Sequence, residues 1–399
     1  MDTSAVNSVL DGIRVIDFTQ MMLGPWGTQF LGDFGADVIK IERPGHGEWE
    51  RGLAAMGELL GGDSPFFIAM NRNKRSLTLN LKNPRAIELV KELVKEADLV
   101  VENYRPGVMD RLGIGYAALR EVNPGIVYVA GSGYGPDGPY VKRPGQDLLI
   151  QAMSGLAANS GPGDGLPVAA ATSYVDASTA LMLALSATLG LFHRLRTGQG
   201  QRIDVSLFNT AVALQCQELT AFMNLDKRWQ RSEAGISSPW LGAPFGLYET
   251  QNGYMAISMN PLDVVGEIIG DDGLAEFNTD EVAFEHRDDI KRRVQAKVRE
   301  QTTEYLLEQM LARDLWCAPV QDFETLVNDP QVQHNGLIQT VNHPVAGEVK
   351  VVGTPMKFSE TPGQIRHGVP SVGEHTNEVL QELGYDQTQC DTWRAEGVI

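Results

Sequence analysis

Asp176 closes the string Ala-Thr-Ser-Tyr-Val-Asp and stands directly before the apolar run 177–192. A carboxylate at the head of a nonpolar helix does one of two things. It caps the free amides of the first turn, worth about 1 kcal/mol over alanine. Otherwise it is a nucleophile, kept ionised by the positive end of the helix dipole, which also steadies negative charge developing on it. Caps are the commoner of the two, and the local residues leave both readings open. The basic residues form a second chemistry-bearing set. Arg43, then Arg72, Lys74, Arg75 and Lys82, then Arg105 and Arg111, then Lys142 and Arg143 each fall near the end of a strand-like segment. In an open parallel sheet such ends line the ligand crevice. Solvation is the ordinary account of any one of them, but their convergence in a chain of net charge −18 points to a polyanionic ligand such as a phosphorylated nucleotide.

Other motifs carry less. Gly131-Ser132-Gly133-Tyr134-Gly135 follows a strand, but Pro136, Gly138, Pro139 and Pro144 prevent the helix that a dinucleotide fingerprint requires, so a structural turn is expected. No phosphate-loop or His-Glu-x-x-His pattern occurs, and the seven histidines lack ligand spacing, so no metal site is expected. His193, with Arg194 and Arg196, sits in a helix's last turn, where cations complement the dipole; His46 lies in a Gly/Pro-rich loop and is read as solvated.

These residues need elements to hold them. Strands are expected at Ile13-Arg14-Val15-Ile16-Asp17-Phe18, at Asp37-Val38-Ile39-Lys40-Ile41, briefly at 77–79, at Leu99-Val100-Val101-Glu102 and at Ile126-Val127-Tyr128-Val129-Ala130. A helix follows Gly24-Pro25 to about Phe34; another opens at Asn83-Pro84 with Ile87, Val90, Leu93, Val94 and Ala97 on one face. Strands spaced by helices imply a parallel sheet, hence an α/β domain. Arg202-Ile203-Asp204-Val205-Ser206 adds a strand before a long helix over 208–223. The Gly/Ser/Pro texture of 231–244 marks a boundary. Beyond it, two strand-like runs flank Gln251-Asn252-Gly253 as a hairpin, opening a smaller α+β domain with helices at 288–300 and from Thr302. The expected layout is a large domain over 1–205, a helical linker 206–235, a small domain 236–325, a return linker 326–345, and a C-terminal part of the large domain over 346–399. Residues 343–358 are expected to be β-rich and 377–383 to form a terminal helix.

The chain has 399 residues, 43% of them hydrophobic, enough for a substantial core. With 51 acidic against 33 basic residues, nucleic acid and anionic membranes are repelled at long range and are not expected partners. Cys216, Cys317 and Cys390 are far apart and in no redox or metal spacing, so they are expected to be buried thiols in a reducing cytoplasm. The first residues show no basic region followed by an apolar stretch, so no secretory signal is expected. The run 177–192, interrupted by Ser and Thr, reads as a buried core helix rather than a bilayer span.

Several strings in order resemble the class III CoA-transferase family: Asp17-Phe18-Thr19 before Gly24-Pro25, Gly35 to Glu42, Asn73-Lys74-Arg75-Ser76, Val101 to Gly107, Arg143-Pro144-Gly145-Gln146-Asp147, Gln151 to Gly155, Asp176, and Arg194 to Gln201. The likeness runs from about Leu10 to the terminal helix. It implies a Rossmann-like large domain with a small domain, in an interlocked ring-like homodimer whose site lies between one subunit's large domain and the other's small domain. It implies CoA transfer between carboxylic acids, with acyl-CoA and carboxylic acid as substrates and no permanently bound cofactor. The family nucleophile falls on Asp176, which would form a mixed anhydride and then an aspartyl-CoA thioester. CoA contacts carry over to Arg43, to Leu79, Asn80, Leu81 and Lys82, to Asn103, Tyr104 and Arg105, and to Arg111; Met21 and Met22 would border the thiol. Gln146 and Asp147 support the site.

A racemase subgroup of similar fold uses a histidine at the position of Gln146, and glutamine cannot act as an acid or base near neutral pH, which argues against racemisation. The formyl-CoA/oxalate enzymes carry glutamine where Met22 stands and a glycine-rich lid with no match at 235–246, which argues against a role restricted to oxalate. A non-enzymatic acyl-CoA-binding protein and a dinucleotide-dependent oxidoreductase are the remaining alternatives, separable by exchange assay and by CoA against NAD titration.

Overall fold

The computed structural model describes residues 8–399. By internal contacts they form two compact units, one of residues 8–150, 173–210 and 330–399, the other of residues 151–172 and 211–329. The segment 151–172 falls with the second unit.

The first unit is built on six parallel strands: β1 (Arg14–Asp17), β2 (Asp37–Glu42), β3 (Lys74–Thr78), β4 (Leu99–Glu102), β5 (Val127–Ser132) and β6 (Arg202–Ser206), in the spatial order β3-β2-β1-β4-β5-β6. Val15 lies opposite Val38 on one side and Leu99 on the other, so β1 is central. The strands are near-continuous apolar runs because both faces of a parallel sheet are covered; Val15, Ile16, Ile39, Val100 and Val127 are fully buried. Strand order reverses between β1 and β4, and in such sheets ligands sit at the carboxyl ends beside that reversal.

Helix α1 (Leu23–Asp33) returns from β1 to β2. Helix α2 (Pro84–Lys95) starts where Asn83 caps the Arg85 amide ahead of Pro84, and buries Ala86, Leu89, Val90, Leu93 and Val94. Helix α3 (Tyr174–Thr197) buries Val175, Thr179, Ala180, Leu183, Ala187, Gly190 and Leu191. It is not the fully buried helix expected of 177–192. Leu181, Leu185, Leu189 and Phe192 on its other face are 44 to 58% exposed. By length and composition α3 meets the requirement of a bilayer span, yet Gly190 approaches Val127 and Ile203 of the sheet as in a core helix.

The C-terminal stretch finishes this unit. Val379, Leu380, Cys390, Val398 and Ile399 join the core formed by α2, β1 and β4. β3 is the sheet's edge, and this stretch covers it: His375 Nδ1 accepts from the Ser76 amide, the Thr376 hydroxyl accepts from the Thr78 amide, and the Ser76 carbonyl accepts from the His375 amide. Two helices, Thr376–Glu382 and Gln387–Ala395, stand where one was expected, the second opened by an Asp386/Gln389 capping box. The β-rich stretch is an antiparallel pair, Ile338–His343 with Gly347–Val352.

In the second unit an antiparallel sheet joins Gly246–Glu249, Tyr254–Ile257 and Cys317–Pro319, so the hairpin across Gln251-Asn252-Gly253 is present. Its core gathers Tyr248, Met255, Ile257, Val265, Ile290, Val294, Leu306 and Met310. The helix expected over 208–223 is broken into Leu207–Ala213 and Cys216–Asn224, with Gln215 turning between them. The thiols differ from expectation too: Cys390 is buried, Cys317 half-buried and Cys216 exposed.

Candidate active site

The chain leaves β5 past Gly131 and continues through Gly133 and Gly135 without forming a helix, as a structural turn does. A Cβ on Gly133 would stand 2.6 Å from the Gly145 Cα, so two backbone strands touch where any side chain would part them. That contact delivers Asp147 to the head of α3. Asp147 Oδ2 accepts from the amides of Val175 at 2.8 Å and Asp176 at 2.9 Å. Ser173, the residue before the helix, makes no side-chain cap, and Asp176 is the third helical residue. The cap is therefore Asp147, from 29 residues upstream, and Asp176 is not a cap at all. Its carboxylate is left without the amides it would otherwise hold.

The electrostatics also differ from expectation. Burial first, and the Asp147 charge second, push the Asp176 carboxyl up to about 7. Both influences favour the protonated form, so Asp176 binds its proton well above the ordinary carboxylate range. Asp147, at 4% exposure, is buried beside it. Helix α1 runs close to α3: a Cβ on Gly27 would lie 2.7 Å from the Leu183 side chain and 3.0 Å from the Ala180 carbonyl, so glycine permits the approach.

Under α1 lies a buried charged cluster. Asp17 ends β1 and pairs with Lys74 Nζ at 3.0 Å, while its oxygens accept from the hydroxyls of Thr19 and Thr28. Burial pushes Asp17 up, but Lys74, Lys40 and the two hydroxyls more than offset it, leaving the carboxyl below its ordinary range. Lys40 Nζ binds Glu48 at 2.6 Å and the Thr19 carbonyl at 2.8 Å. Glu48 Oε1 accepts from the Met21 amide at 2.5 Å, fixing a residue whose φ of 59° is left-handed. Lys74 is pulled down to about 8, chiefly by burial. Beside this cluster, on the short turn Trp49–Gly52, Glu50 is 1% exposed and its Oε2 has no hydrogen-bond partner.

Three of the cations expected at the crevice lie elsewhere. Arg72, Lys74 and Arg75 stand at the amino end and start of β3. Arg72 is buried on Asp33, Lys74 on Asp17, and Arg75 reaches Asp37, Glu378 and Glu382. Each is spent on carboxylates within the fold because the strand begins at Lys74 rather than at 77. The others lie at or beyond carboxyl ends: Arg43 after β2, Lys82 after β3, Arg105 after β4, and Lys142 and Arg143 in the loop after β5, all exposed, with Arg111 exposed on the helical turn Val108–Arg111.

The neutral candidates divide. Met21 and Met22 lead into α1 after β1. Leu79 is 2% exposed and belongs to the core; Asn80 and Leu81 are half-buried, and the Asn80 side chain bridges the Lys82 amide and the Gly397 carbonyl. Asn103 joins β4 to β1 by accepting from the Gln20 amide and donating to the Gln20 carbonyl, and Tyr104 follows it half-buried. Gln146 is exposed next to Asp147. With Arg43, and leaving Gln146 aside, these residues follow four adjacent strands, β3, β2, β1 and β4. Sequence reasoning missed Glu48 and Glu50. The available signal was two acids in Gly47-Glu48-Trp49-Glu50-Arg51 just after a strand end, which reads equally as a solvated loop.

A family model described as CoA-transferase family III matches residues 10–376. A succinyl-CoA:glutarate CoA-transferase of Mus musculus is 32% identical, with 98% of this chain and 90% of that protein covered. A formyl-CoA:oxalate CoA-transferase of Rhodopseudomonas palustris (strain TIE-1) is 32% identical over 95% of each chain. Among solved structures, a CAIB/BAIF family protein from Brucella suis superposes with a TM-score of 0.82 at 28% identity, covering 94% of this chain and 100% of that one.

Proposed function

Because the chain belongs to the CoA-transferase family III and is a CoA-transferase, we propose that it moves coenzyme A from an acyl-CoA thioester to a free carboxylic acid through covalent intermediates on Asp176. The Asp176 carboxylate attacks the donor thioester carbonyl, an acyl–oxygen bond forms, and the C–S bond breaks to release CoA thiolate. The thiolate then attacks the aspartyl carbonyl of this mixed anhydride, giving aspartyl-CoA thioester and freeing the donor acid. The acceptor carboxylate runs the two steps backwards. Thioester energy is conserved at each stage and water is not consumed.

The observation that carries this reading is the cap by Asp147. A capping aspartate would be tied to amides, whereas here another carboxylate has taken them and Asp176 is left untied, its carboxyl pushed up to about 7 by burial and by Asp147. For CoA, Arg43, Lys82, Arg105 and Arg111 would meet phosphates. Leu79, Asn80, Leu81, Asn103 and Tyr104 would border adenosine and pantetheine, and Met21 and Met22 the thiol end. Gln146 would adjoin the acyl group. CoA is a substrate in this scheme, not a resident cofactor. Proton exchange of the racemase kind has no support at Gln146, which cannot titrate.

The relatives named above act on short acids, formyl and oxalate in one case and succinyl and glutarate in the other, and small carboxylic acids are the substrate class proposed here. A large domain over 1–205 and 346–399, linkers over 206–235 and 326–345 and a small domain over 236–325 are proposed to form an interlocked homodimer. The exposed apolar face of α3 supports a partner subunit.

The test is single turnover with acyl-CoA, followed by hydroxylamine or borohydride trapping and mass spectrometry of the Asp176 peptide. An adduct on that residue, and loss of both adduct and exchange in Asp176→Asn with CoA binding retained, are expected. Exchange surviving in Asp176→Asn overturns the scheme.

A further inference from the structure

Five backbone groups of the turn after β1 are each held by a side chain. The Thr19 amide donates to Asp17 Oδ1 at 2.8 Å, and the Thr19 carbonyl accepts from Lys40 Nζ at 2.8 Å. Asn103 takes both groups of Gln20, its Oδ1 accepting from the amide at 2.8 Å and its Nδ2 donating to the carbonyl at 2.7 Å. Glu48 Oε1 accepts from the Met21 amide at 2.5 Å. Glu48 is itself fixed from two sides: Lys40 Nζ binds its other oxygen at 2.6 Å, and its own amide donates to Glu42 Oε1 at 2.9 Å. Burial opposes the Lys40 charge, but Glu48, Asp17 and Glu42 more than offset it and lift the ammonium above the usual lysine range. One feature of the turn is costly. Met21 has a φ of 59°, a left-handed conformation that a residue with a side chain disfavours about five- to thirtyfold.

This turn adjoins the end of α3 that carries Asp176. Helix α1 leads into β2 and α3 into β6, strands of one parallel sheet, so both helices point the same way, with their first turns at the carboxyl ends of the strands. They touch where a Cβ on Gly27 would lie 3.0 Å from the Ala180 carbonyl. Four residues back on each, about 6 Å along the axis, come Leu23 and Asp176. Thr19 packs on that first turn of α1. A Cβ on Gly24 would stand 2.3 Å from the Thr19 Cβ, so the turn and the head of α1 move together.

We propose that Glu48 is a positioning residue for transfer at Asp176: by holding the Met21 amide it keeps Met21 left-handed and so fixes the chain beside the nucleophile; this rests on Asp176 being that nucleophile. Glu48 is 6% exposed and its oxygens are taken by Lys40 and the Met21 amide, so it acts through the turn and not on substrate. A turn that relaxes to negative φ shifts the head of α1 against α3, and a misplacement of about 1 Å at a reacting centre costs up to about 10²-fold in rate. The cations proposed for the CoA phosphates are no part of this cluster, so the effect belongs to the covalent step rather than to CoA affinity.

The experiment follows the rate of Asp176 adduct formation on mixing with acyl-CoA, with KM and Tm, in the full chain. Two double variants differ only in the acceptor: Lys40→Met with Glu48→Gln keeps an oxygen for the Met21 amide, and Lys40→Met with Glu48→Leu has none. Both partners of the buried pair are replaced together, so neither charge is left alone. The variant with Glu48→Leu is expected to form adduct about five- to thirtyfold more slowly than the one with Glu48→Gln, with KM for acyl-CoA within about twofold. Adding Met21→Gly to both is expected to shrink that difference to about twofold or less, because glycine takes positive φ freely. A lower Tm with equal adduct rates overturns the proposal, as does a difference that Met21→Gly leaves undiminished. If the Lys40→Met, Glu48→Leu chain fails to fold, Met21→Asn and Met21→Val decide: both remove the thioether, only valine resists a φ of 59°, and equal rates in the two overturn the proposal. Absence of adduct in the wild type overturns instead the nucleophile on which the assignment rests.

Discussion

At the scale of residues, the centre is governed by which carboxylate owns which amide. Asp147 holds the amides of Val175 and Asp176 and, by its charge, raises the proton affinity of the carboxyl next to it. Asp147→Asn keeps an accepting oxygen for the cap but removes the charge. The acid limb of kcat/KM is therefore expected to move from near 7 to lower pH, read from the full pH profile. Asp147→Ala loses the cap as well, and denaturant titration is expected to show an added loss of about 1 kcal/mol. Glu50 gives the second prediction. Burial pushes its carboxyl up to about 8 from the ordinary 4.5, so between those pH values the folded chain holds a proton that the unfolded chain lacks. Stability contributed by this group falls as pH rises across that window. Replacing it with Gln removes the slope, so the Tm of Glu50→Gln relative to wild type is expected to be higher at pH 8.5 than at pH 5.5. None of this was legible locally. Ser-Tyr-Val-Asp before an apolar run reads as a cap until Asp147 is brought 29 residues through space. The family likeness, not the residue pattern, singled out Asp176.

Elements explain which basic residues are available to a ligand. The sheet, α1 and α2 followed from apolar runs and from Asn83-Pro84, because those signals act within a few residues. The start of β3 did not. Beginning the strand at Lys74 instead of 77 turns Arg72, Lys74 and Arg75 from crevice cations into internal partners of Asp33, Asp17 and Asp37. Such partners are carried by other strands and helices, so no local pattern reveals them. Lys74→Met leaves Asp17 buried with one of its compensating charges gone. A loss of about 3 kcal/mol is expected by denaturant titration, and Asp17→Asn added to it is expected to recover a substantial part. A double variant no better than the single one would show that Lys40 alone suffices for Asp17. By contrast Arg43, Lys82, Arg105 and Arg111 are exposed, and charge-neutral replacements there are expected to raise KM for acyl-CoA with little change in Tm.

For the whole molecule, the strongest departure from the sequence reading is α3. Composition marked 177–192 as apolar, which a single chain was expected to bury; instead Leu181, Leu185, Leu189 and Phe192 remain on its surface. Periodicity does not distinguish a face covered by the same chain from one covered by another. Leu185→Asp combined with Leu189→Asp is expected to halve the mass found by light scattering in the proposed homodimer, and a wild type that is itself monomeric would rule that assembly out. The turn after β3, proposed to receive CoA, also depends on distant chain: the Asn80 amide donates to the Val398 carbonyl, and its side chain donates to Gly397, 317 residues away. During synthesis, therefore, the first sheet can pair long before this turn is locked. A CoA site built on this turn is expected to gain from cellular CoA only after residues 397 and 398 have emerged and docked, so resistance to proteolysis conferred by CoA is expected to report the docking of that distant stretch rather than to assist the sheet's formation.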